Sequence, residues 1–208
     1  MPLRRIALLM TLLGACASTA GLDDPPADLG DFVLGHNITV TDKMQMVPIS
    51  REATGAEWEA AMEKAVADRF GRYDGSRVYN IGIAIDGYAL APPGIPVVAA
   101  PKSVLVITAN IWDDARQAKL NTEGKQLTVF ENLDGENLIG TGLTRTRDEQ
   151  MAALAYNAAG AVESWLLEHP EWFADPGGGG ALAWNQTLRE TMSATRAAAQ
   201  PSAPLVAK

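Results

Sequence analysis

The 208-residue sequence contains one cysteine, Cys16, and two histidines, His36 and His169. A single cysteine cannot form an intrachain disulfide, so we expect the hydrophobic core alone to stabilise the fold. Structural zinc sites need several cysteine or histidine ligands close together, and the sequence offers no such cluster. We therefore expect neither a bound metal nor a cofactor.

Signatures of nucleophilic catalysis are also missing. The sequence has no Gly-x-Ser-x-Gly motif, and residues 140–142 lack the third glycine and the lysine of a phosphate-binding loop. His36 lies within a predicted strand and His169 precedes Pro170 at a predicted helix end, so structural roles explain both. We predict that the protein is not an enzyme.

Asp86, Asp113 and Asp114 are the carboxylates best suited to acid–base chemistry or to a hard cation. Neighbouring residues of an extended chain point to opposite faces, so Asp113 and Asp114 are not expected to meet at one substrate atom. Aspartates at strand ends commonly bond to the backbone of turns, and we favour that interpretation. A hydrolase that uses these three residues is the alternative.

Long apolar runs and positive charge are both scarce. A membrane-spanning helix needs about 20 apolar residues, and the only N-terminal apolar run, residues 6–13, is far shorter. The chain has 25 acidic against 17 basic residues, a formal net charge of −8. Because a negative surface repels phosphate backbones, we expect no nucleic-acid partner.

The apolar run at residues 6–13 is preceded by Arg4 and Arg5 and ends at Leu13-Gly14-Ala15-Cys16. A basic start, an apolar run of roughly 7 to 15 residues and small residues before a cleavage site are typical of a signal peptide. The last four residues resemble the lipobox of bacterial lipoproteins. Ordinary secretion is the alternative, since Ala15 and Ala17 also fit a small-residue cleavage site.

The lipobox resemblance implies cleavage before Cys16 and lipidation of its thiol and its new amine. Two or more acyl chains hold a protein stably on a membrane, whereas one chain does so only marginally. Ala17 stands where lipoproteins retained in the inner membrane carry aspartate, which implies the periplasmic leaflet of the outer membrane. We thus predict a signal peptide at 1–15, a lipidated tether at 16–31, one domain at 32–175 and a glycine-rich joint and tail at 176–208.

Alternating and helical patterns predict the elements of the domain. Strands are expected at 32–40, with Phe32, Leu34, Ile38 and Val40 on its apolar face, at 79–86, at 104–107 in the middle of the sheet, and on both sides of Asp134-Gly135. Capping boxes predict helices that begin after Thr54 and Thr146. This order predicts an α+β fold, an antiparallel sheet of about four to five strands with two helices packed on one face.

The same element order resembles small periplasmic lipoproteins of the lipopolysaccharide-assembly and ABC-transport auxiliary types. This resemblance implies an accessory role in the cell envelope. No residue motif carries it, and simple sandwiches of this kind host many functions.

Two apolar segments are candidates for binding a partner protein. The loop at 91–101 contains Pro92, Pro93, Ile95, Val97 and Val98, which form either a stiff connector across the sheet or an exposed docking site. Residues 181–200 could form a helix with Trp184, Leu188 and Met192 in one row, which either rests on the core or forms a docking stripe for a partner.

The interpretation we favour is a membrane-anchored, non-enzymatic envelope protein that binds another envelope protein through one of these segments. The alternative is a carrier of an apolar ligand or lipid, held between sheet and helices where Gly82, Ala84, Gly140 and Gly142 leave space.

Overall fold

The structure, a computed structural model, describes residues 21–93, 103–131 and 145–173. Its strands are β1 (Phe32–Val40), β2 (Gln45–Met46), β3 (Arg77–Ala89), β4 (Val104–Asp113), β5 (Ala118–Lys119) and β6 (Lys125–Phe130). Its helices are α1 (Gly55–Phe70) and α2 (Arg147–Leu167), and α2 is followed by a 3-10 turn at Pro170–Trp172. The predicted hairpin about Asp134-Gly135 lies outside the described residues.

Both helices begin at the predicted capping boxes. The hydroxyl of Thr54 accepts from the backbone N–H of Glu57, and the carboxylate of Glu57 accepts from the N–H of Thr54. Thr146 and Glu149 make the same reciprocal pair at the start of α2. These contacts satisfy backbone donors that have no partner within the helix, so both predictions of a helix start are confirmed.

The sheet is mixed, and the prediction of a purely antiparallel sheet was wrong on this point. In the described residues it has six strands, and β1 and β2 pair in parallel with β3. A parallel pair needs a crossover connection, and α1 supplies it between β1 and β3. From β3 onward the pairing is antiparallel, with β4 joined to β3 on one side and to β5 and β6 on the other.

One face of the sheet is covered by α1 and α2, as predicted. The side chains of Ile81, Ile83 and Ile85 on β3 are 1–2% exposed, and Leu105 and Ile107 on β4 are fully buried. They pack against helix residues such as Trp58, Met62, Leu154 and Val162 in one continuous core. Burial of large apolar side chains is the main source of stability available to a fold without disulfides.

Charged pairs also hold the two helices together. Arg147 at the start of α2 contacts the carboxylate of Glu57 at 2.5 Å. Further along, the guanidinium of Arg69 lies 2.7 Å from the carboxylate of Glu163, which also accepts from the hydroxyl of Tyr73 at 2.7 Å. Burial, followed by this bond to the carboxylate, raises the pKa of Tyr73 well above its usual range.

A β-bulge divides β1 and changes the face on which its side chains lie. The register against β3 shifts between Leu34 and Asn37. Phe32 is fully buried, whereas Ile38 and Val40 are 57% and 43% exposed. Because one extra residue moves every later side chain to the other face, the prediction that all four apolar residues of β1 share the core face was wrong.

The described part of the N-terminal segment contacts the domain. The guanidinium of Arg72 donates to the carbonyls of Leu22 and Asp24 at 3.0 and 2.7 Å, and Leu29 is 3% exposed in the core. Cys16 and the rest of residues 1–20 lie outside the described residues. Among the helices that the structure describes, none has the length and apolar character needed to cross a membrane.

Candidate functional site

The face of the sheet opposite α1 and α2, which we call the open face, is the candidate site. Strand alternation assigns to it the residues between the buried ones. They include Asn80, Gly82 and Ala84 of β3, Thr108, Asn110 and Trp112 of β4, and, beyond the bulge, Ile38 and Val40 of β1. No element in the described part of the chain packs on this face.

A groove of about 420 Å³ runs along the open face. Its lining includes His36, Ile38, Val40, Asn80, Gly82, Ala84, Asn110, Trp112, Asp114 and Gln117. The volume lies within the range of small-molecule pockets, roughly 300 to 1,000 Å³. We call it the open-face groove.

The groove exists because β3 places its smallest side chains between larger ones. Ile38 of β1 lies opposite Gly82, and Val40 lies opposite Ala84. On the other side, the indole of Trp112 leans over Gly82, since a Cβ at that position would lie only 2.8 Å from Cζ3 of Trp112. The floor is therefore low along β3, and β1 and β4 form the two walls.

One end of the groove is polar. The backbone N–H of His36 donates to Oδ1 of Asn80 at 2.6 Å, and Nδ2 of Asn80 donates to Oδ1 of Asp114 at 3.1 Å. The side-chain amide of Gln117 donates to the carbonyl of Asp114 at 2.6 Å. These bonds hold the amide and the carboxylate in fixed positions, where they offer hydrogen-bonding and negative groups to a ligand.

The other end is apolar and exposed. Side chains of Ile and Val are usually buried, and contiguous apolar surface is characteristic of interaction sites. Here Ile38 and Val40 stand side by side on β1, and each residue is more than two-fifths exposed. The arrangement is suited to binding an apolar group with one polar end.

The three candidate aspartates are engaged in local contacts. Asp113 is 1% exposed and lies 2.6 Å from Arg77 and 3.4 Å from Arg116, and it also accepts from the backbone N–H of Arg116. Asp86 accepts from the hydroxyl of Thr108 at 2.6 Å. Alternation puts Asp113 on the covered side of the sheet and Asp114 on the open side, as expected, and the contacts of Asp113 match the predicted turn role.

The two histidines differ in their surroundings. His36 is exposed at the polar end of the groove. His169 stacks on Trp172, with ring centres 4.0 Å apart, and its Nδ1 lies 3.0 Å from a carboxylate oxygen of Glu171. Among the residues described, no group of three or more His, Cys, Asp and Glu side chains is placed to hold a metal ion.

Most of the predicted partner-binding residues cannot be placed. Pro92 is half-buried and Pro93 exposed, while Ile95, Val97, Val98, Trp184, Leu188 and Met192 lie outside the described residues. The start of the 91–101 loop is attached to the domain: the N–H of Ala91 donates to Oγ of Ser103 at 3.1 Å, and its carbonyl accepts from Gln150 at 3.3 Å.

The sequence did not predict the groove, because the alternation in β1 was interpreted as that of a strand without a bulge. Gly82 and Ala84 were expected to leave space between sheet and helices, but they face the opposite side, so that location for a carried ligand was wrong. Gly140 and Gly142 lie outside the described residues. Gly35 in the middle of a strand was the available signal, since such a glycine often marks a bulge.

No protein-family model matches the sequence, and no curated protein shows significant similarity to it. Solved structures that resemble it include a Xanthomonas campestris protein of the family DUF330, with 12% identity and a TM-score of 0.39 over 71% of this chain and 92% of that one. A Caulobacter crescentus protein described as a "putative lipoprotein" has 12% identity and a TM-score of 0.34 over 63% and 90%. The PelC dodecamer of Paraburkholderia phytofirmans has 14% identity and a TM-score of 0.31 over 64% and 91%. At this level of likeness they neither assign the chain to a family nor indicate its function.

Proposed function

We propose that this chain is a lipid-anchored, non-enzymatic protein of the bacterial cell envelope that binds another envelope protein through the open-face groove. The anchor is the lipidated Cys16 that the lipobox resemblance implies, in the periplasmic leaflet of the outer membrane. The role is accessory: the domain holds or assembles its partner and performs no chemistry on it.

The observation that carries the proposal is the exposed apolar wall of the groove. Two neighbouring branched side chains, Ile38 and Val40, are held in water on a rigid strand above a floor of Gly82 and Ala84. Burying such surface is favourable by about 25 cal/mol per Å². A partner side chain that enters the groove therefore gains affinity without any rearrangement of the sheet.

The surroundings of the carboxylates support a binding role over hydrolysis. Asp113 is paired with Arg77 and Arg116, and Asp86 accepts from Thr108. Asp114 remains at the polar end of the groove, where it can accept a hydrogen bond or a positive charge from the partner.

A carrier of an apolar ligand is the second candidate, with the ligand in the open-face groove. The volume of about 420 Å³ and the one polar end fit a small amphipathic molecule. Native mass spectrometry of the protein purified from its own envelope distinguishes the two candidates. A carrier retains a ligand mass that is lost in Ile38→Asp, whereas a protein-binding domain shows the mass of the polypeptide and its lipid anchor alone.

Co-purification from native envelopes tests the proposed function. We expect the wild-type chain to recover one protein in a stoichiometric amount, and Ile38→Asp to lose it because a carboxylate in the apolar wall must be desolvated. Met46→Asp is the matched control, since Met46 is 46% exposed on β2, outside the groove. Equal recovery with both variants would refute the groove as the binding site, and an unmodified Cys16 in the same sample would refute the anchor.

A further inference from the structure

Asp114 extends the open face by one residue beyond β4. Its backbone N–H donates to the carbonyl of Val78 at 3.0 Å, so the pairing of β4 with β3 continues past Asp113. Because Trp112 and Asp114 are two positions apart on an extended chain, their side chains share a face and their Cα atoms lie roughly 7 Å apart. Both residues line the groove. An indole and a carboxylate are therefore neighbours along one wall.

The carboxylate of Asp114 is the charge of the groove lining that no cation neutralises. The lining contains one other carboxylate, that of Asp113, which is buried and lies 2.6 Å from Arg77 and 3.4 Å from Arg116. Asp114 forms no ion pair within the described part of the chain, and its Oδ1 accepts from the amide of Asn80 at 3.1 Å. A carboxylate can accept about four hydrogen bonds. Most of this capacity is therefore available to a ligand.

The trough beside this carboxylate fits the apolar stem of a basic side chain. Its floor at Gly82 lies between Ile38 on one side and the indole of Trp112 on the other. Along β3, Gly82 and Asn80 are two residues or about 7 Å apart. The stem of a lysine or arginine spans about 5 to 6 Å, since each C–C bond measures about 1.5 Å, and such stems pack on apolar surface. A basic side chain that enters over Gly82 therefore brings its head close to the carboxylate of Asp114.

The indole and the carboxylate both favour a positive charge. The face of an indole attracts a cation that lies within about 6 Å of the ring centre. A carboxylate attracts a cation more strongly in a partly buried trough than in bulk water, because the local dielectric constant is lower. An anion would be repelled by Asp114 and by the whole chain, whose net charge is −8. The charge of the site and the charge of the protein thus select the same class of occupant.

We infer that the groove recognises a positively charged side chain of the partner protein, an arginine or lysine whose stem lies over Gly82 and whose head contacts Asp114. The inference rests on the proposed function for the class of partner and adds the chemistry that the partner must present. The apolar wall then supplies affinity, and the carboxylate decides which residue enters.

A small cation tests the site without any partner. The full chain carrying Cys16→Ser is titrated with n-butylguanidinium, which reproduces the arginine side chain, at pH 8, where an ordinary histidine is uncharged. The NMR signal of the Trp112 indole N–H, assigned by its loss in Trp112→Phe, reports binding. We expect a saturable shift with a dissociation constant on the order of millimolar. Binding of n-butylurea, which has a similar shape and no charge, should be at least several-fold weaker.

Matched variants test whether Asp114 supplies the charge. Asp114→Asn keeps an acceptor for the amide of Asn80 and removes the negative charge, so it should weaken n-butylguanidinium binding several-fold and leave n-butylurea binding unchanged. Asp42→Asn is the control, because Asp42 is exposed on the turn after β1 and does not line the groove. The absence of a saturable shift, equal binding of the two probes, or equal binding of the cation by wild type and Asp114→Asn would each overturn the inference.

Recovery from native envelopes separates this inference from the proposed function. We expect Asp114→Asn to lower the recovery of the partner several-fold and Asp114→Lys to abolish it, whereas Asp42→Asn leaves it unchanged. Loss of the partner in Ile38→Asp together with full recovery in Asp114→Asn and Asp114→Lys would contradict the inference and leave the proposed function standing. Charge-dependent probe binding with no partner in any sample would contradict the proposed function and leave the cation site standing.

Discussion

The two faces of the sheet differ although the same strands build both. On β3 the side chains alternate between Ile81 and Ile83, which are at most 2% exposed under the helices, and Gly82 and Ala84, which line the open groove. The large residues fill the core and the small ones leave room. The covered face therefore provides most of the buried apolar surface of the domain, whereas no described element packs on the open face.

The covered face also holds the buried ionic pair of the two helices, whereas the open face presents apolar groups to water. Arg69 and Glu163 are 8% and 11% exposed in their side chains, while Ile38 is 57% exposed as a whole residue. Charged side chains are usually exposed and apolar ones buried, and Ile38 and Val40 depart from this preference because the bulge in β1 turns them outward. Under the proposed function, this exposed apolar surface is the one that the partner protein covers.

Paired truncations should show the largest difference between the faces. Ile83→Ala removes buried methyl groups from beneath the helices and is expected to lower the free energy of unfolding by about 2 to 5 kcal/mol. Phe130→Ala, at a residue of β6 that is 54% exposed, should cost no more than about 1 kcal/mol. Urea unfolding followed by circular dichroism measures both, and equal losses would mean that the open face is as buried as the core.

Two glycine-to-alanine substitutions, one in β1 and one in α2, test the bulge that turns Ile38 and Val40 outward. A Cβ at position 35 would overlap the side-chain oxygen of Asn80 and lie 2.5 Å from Cγ1 of Val78, so Gly35→Ala should cost about 1 to 3 kcal/mol. Gly160 in α2 has Arg69 atoms at 3.5 Å, an ordinary contact distance. Gly160→Ala should therefore stabilise the protein by about 0.5 to 1 kcal/mol through its helix preference. If Gly35→Ala left the free energy of unfolding unchanged, β1 would not need the close approach of Gly35 to Asn80 and Val78.

Sequence patterns predicted the parts of the fold that depend on local chemistry. The capping boxes at Thr54 and Thr146 located both helix starts, because a cap is a contact between residues three positions apart. The position of β4 between β3 and β6 also followed from its apolar composition. The opposite faces of Asp113 and Asp114 followed from strand alternation alone.

The groove depended on information that local patterns do not contain. The parallel pairing of β1 with β3 is a contact over more than forty residues, and the bulge between Leu34 and Asn37 reversed the alternation on which the core prediction rested. Trp112 gave no signal at all, because its position over Gly82 arises from pairing between two strands. The alternative of a ligand carried between sheet and helices rested partly on Gly82 and Ala84, which lie on the opposite face of the sheet.

The smallest expected effect is the pH dependence of the stability that the contact between Glu57 and Arg147 contributes at the start of the two helices. Bonds from the backbone N–H and the hydroxyl of Thr54, and then from Arg147, hold the pKa of Glu57 below its usual value. A lowered pKa in the folded state contributes stability that is complete above the unfolded value, near 4.5, and is lost as the pH falls through the folded value. Glu57→Gln keeps an acceptor for the cap but removes the charge, so its loss of stability should be present at pH 7 and fade below pH 4.5.

Urea unfolding of the wild type and of Glu57→Gln from pH 7 to pH 3 measures whether the difference between their free energies of unfolding disappears in acid. Glu63→Gln, on an exposed turn of the same helix, is the control. Because the contact joins α1 to α2 and touches no residue of the groove, the recovery of the partner protein from native envelopes should be unaffected by Glu57→Gln at pH 7. Were that recovery to fall with the charge, the two faces would be coupled through the helices, and the proposed division between a stabilising face and a binding face would not hold.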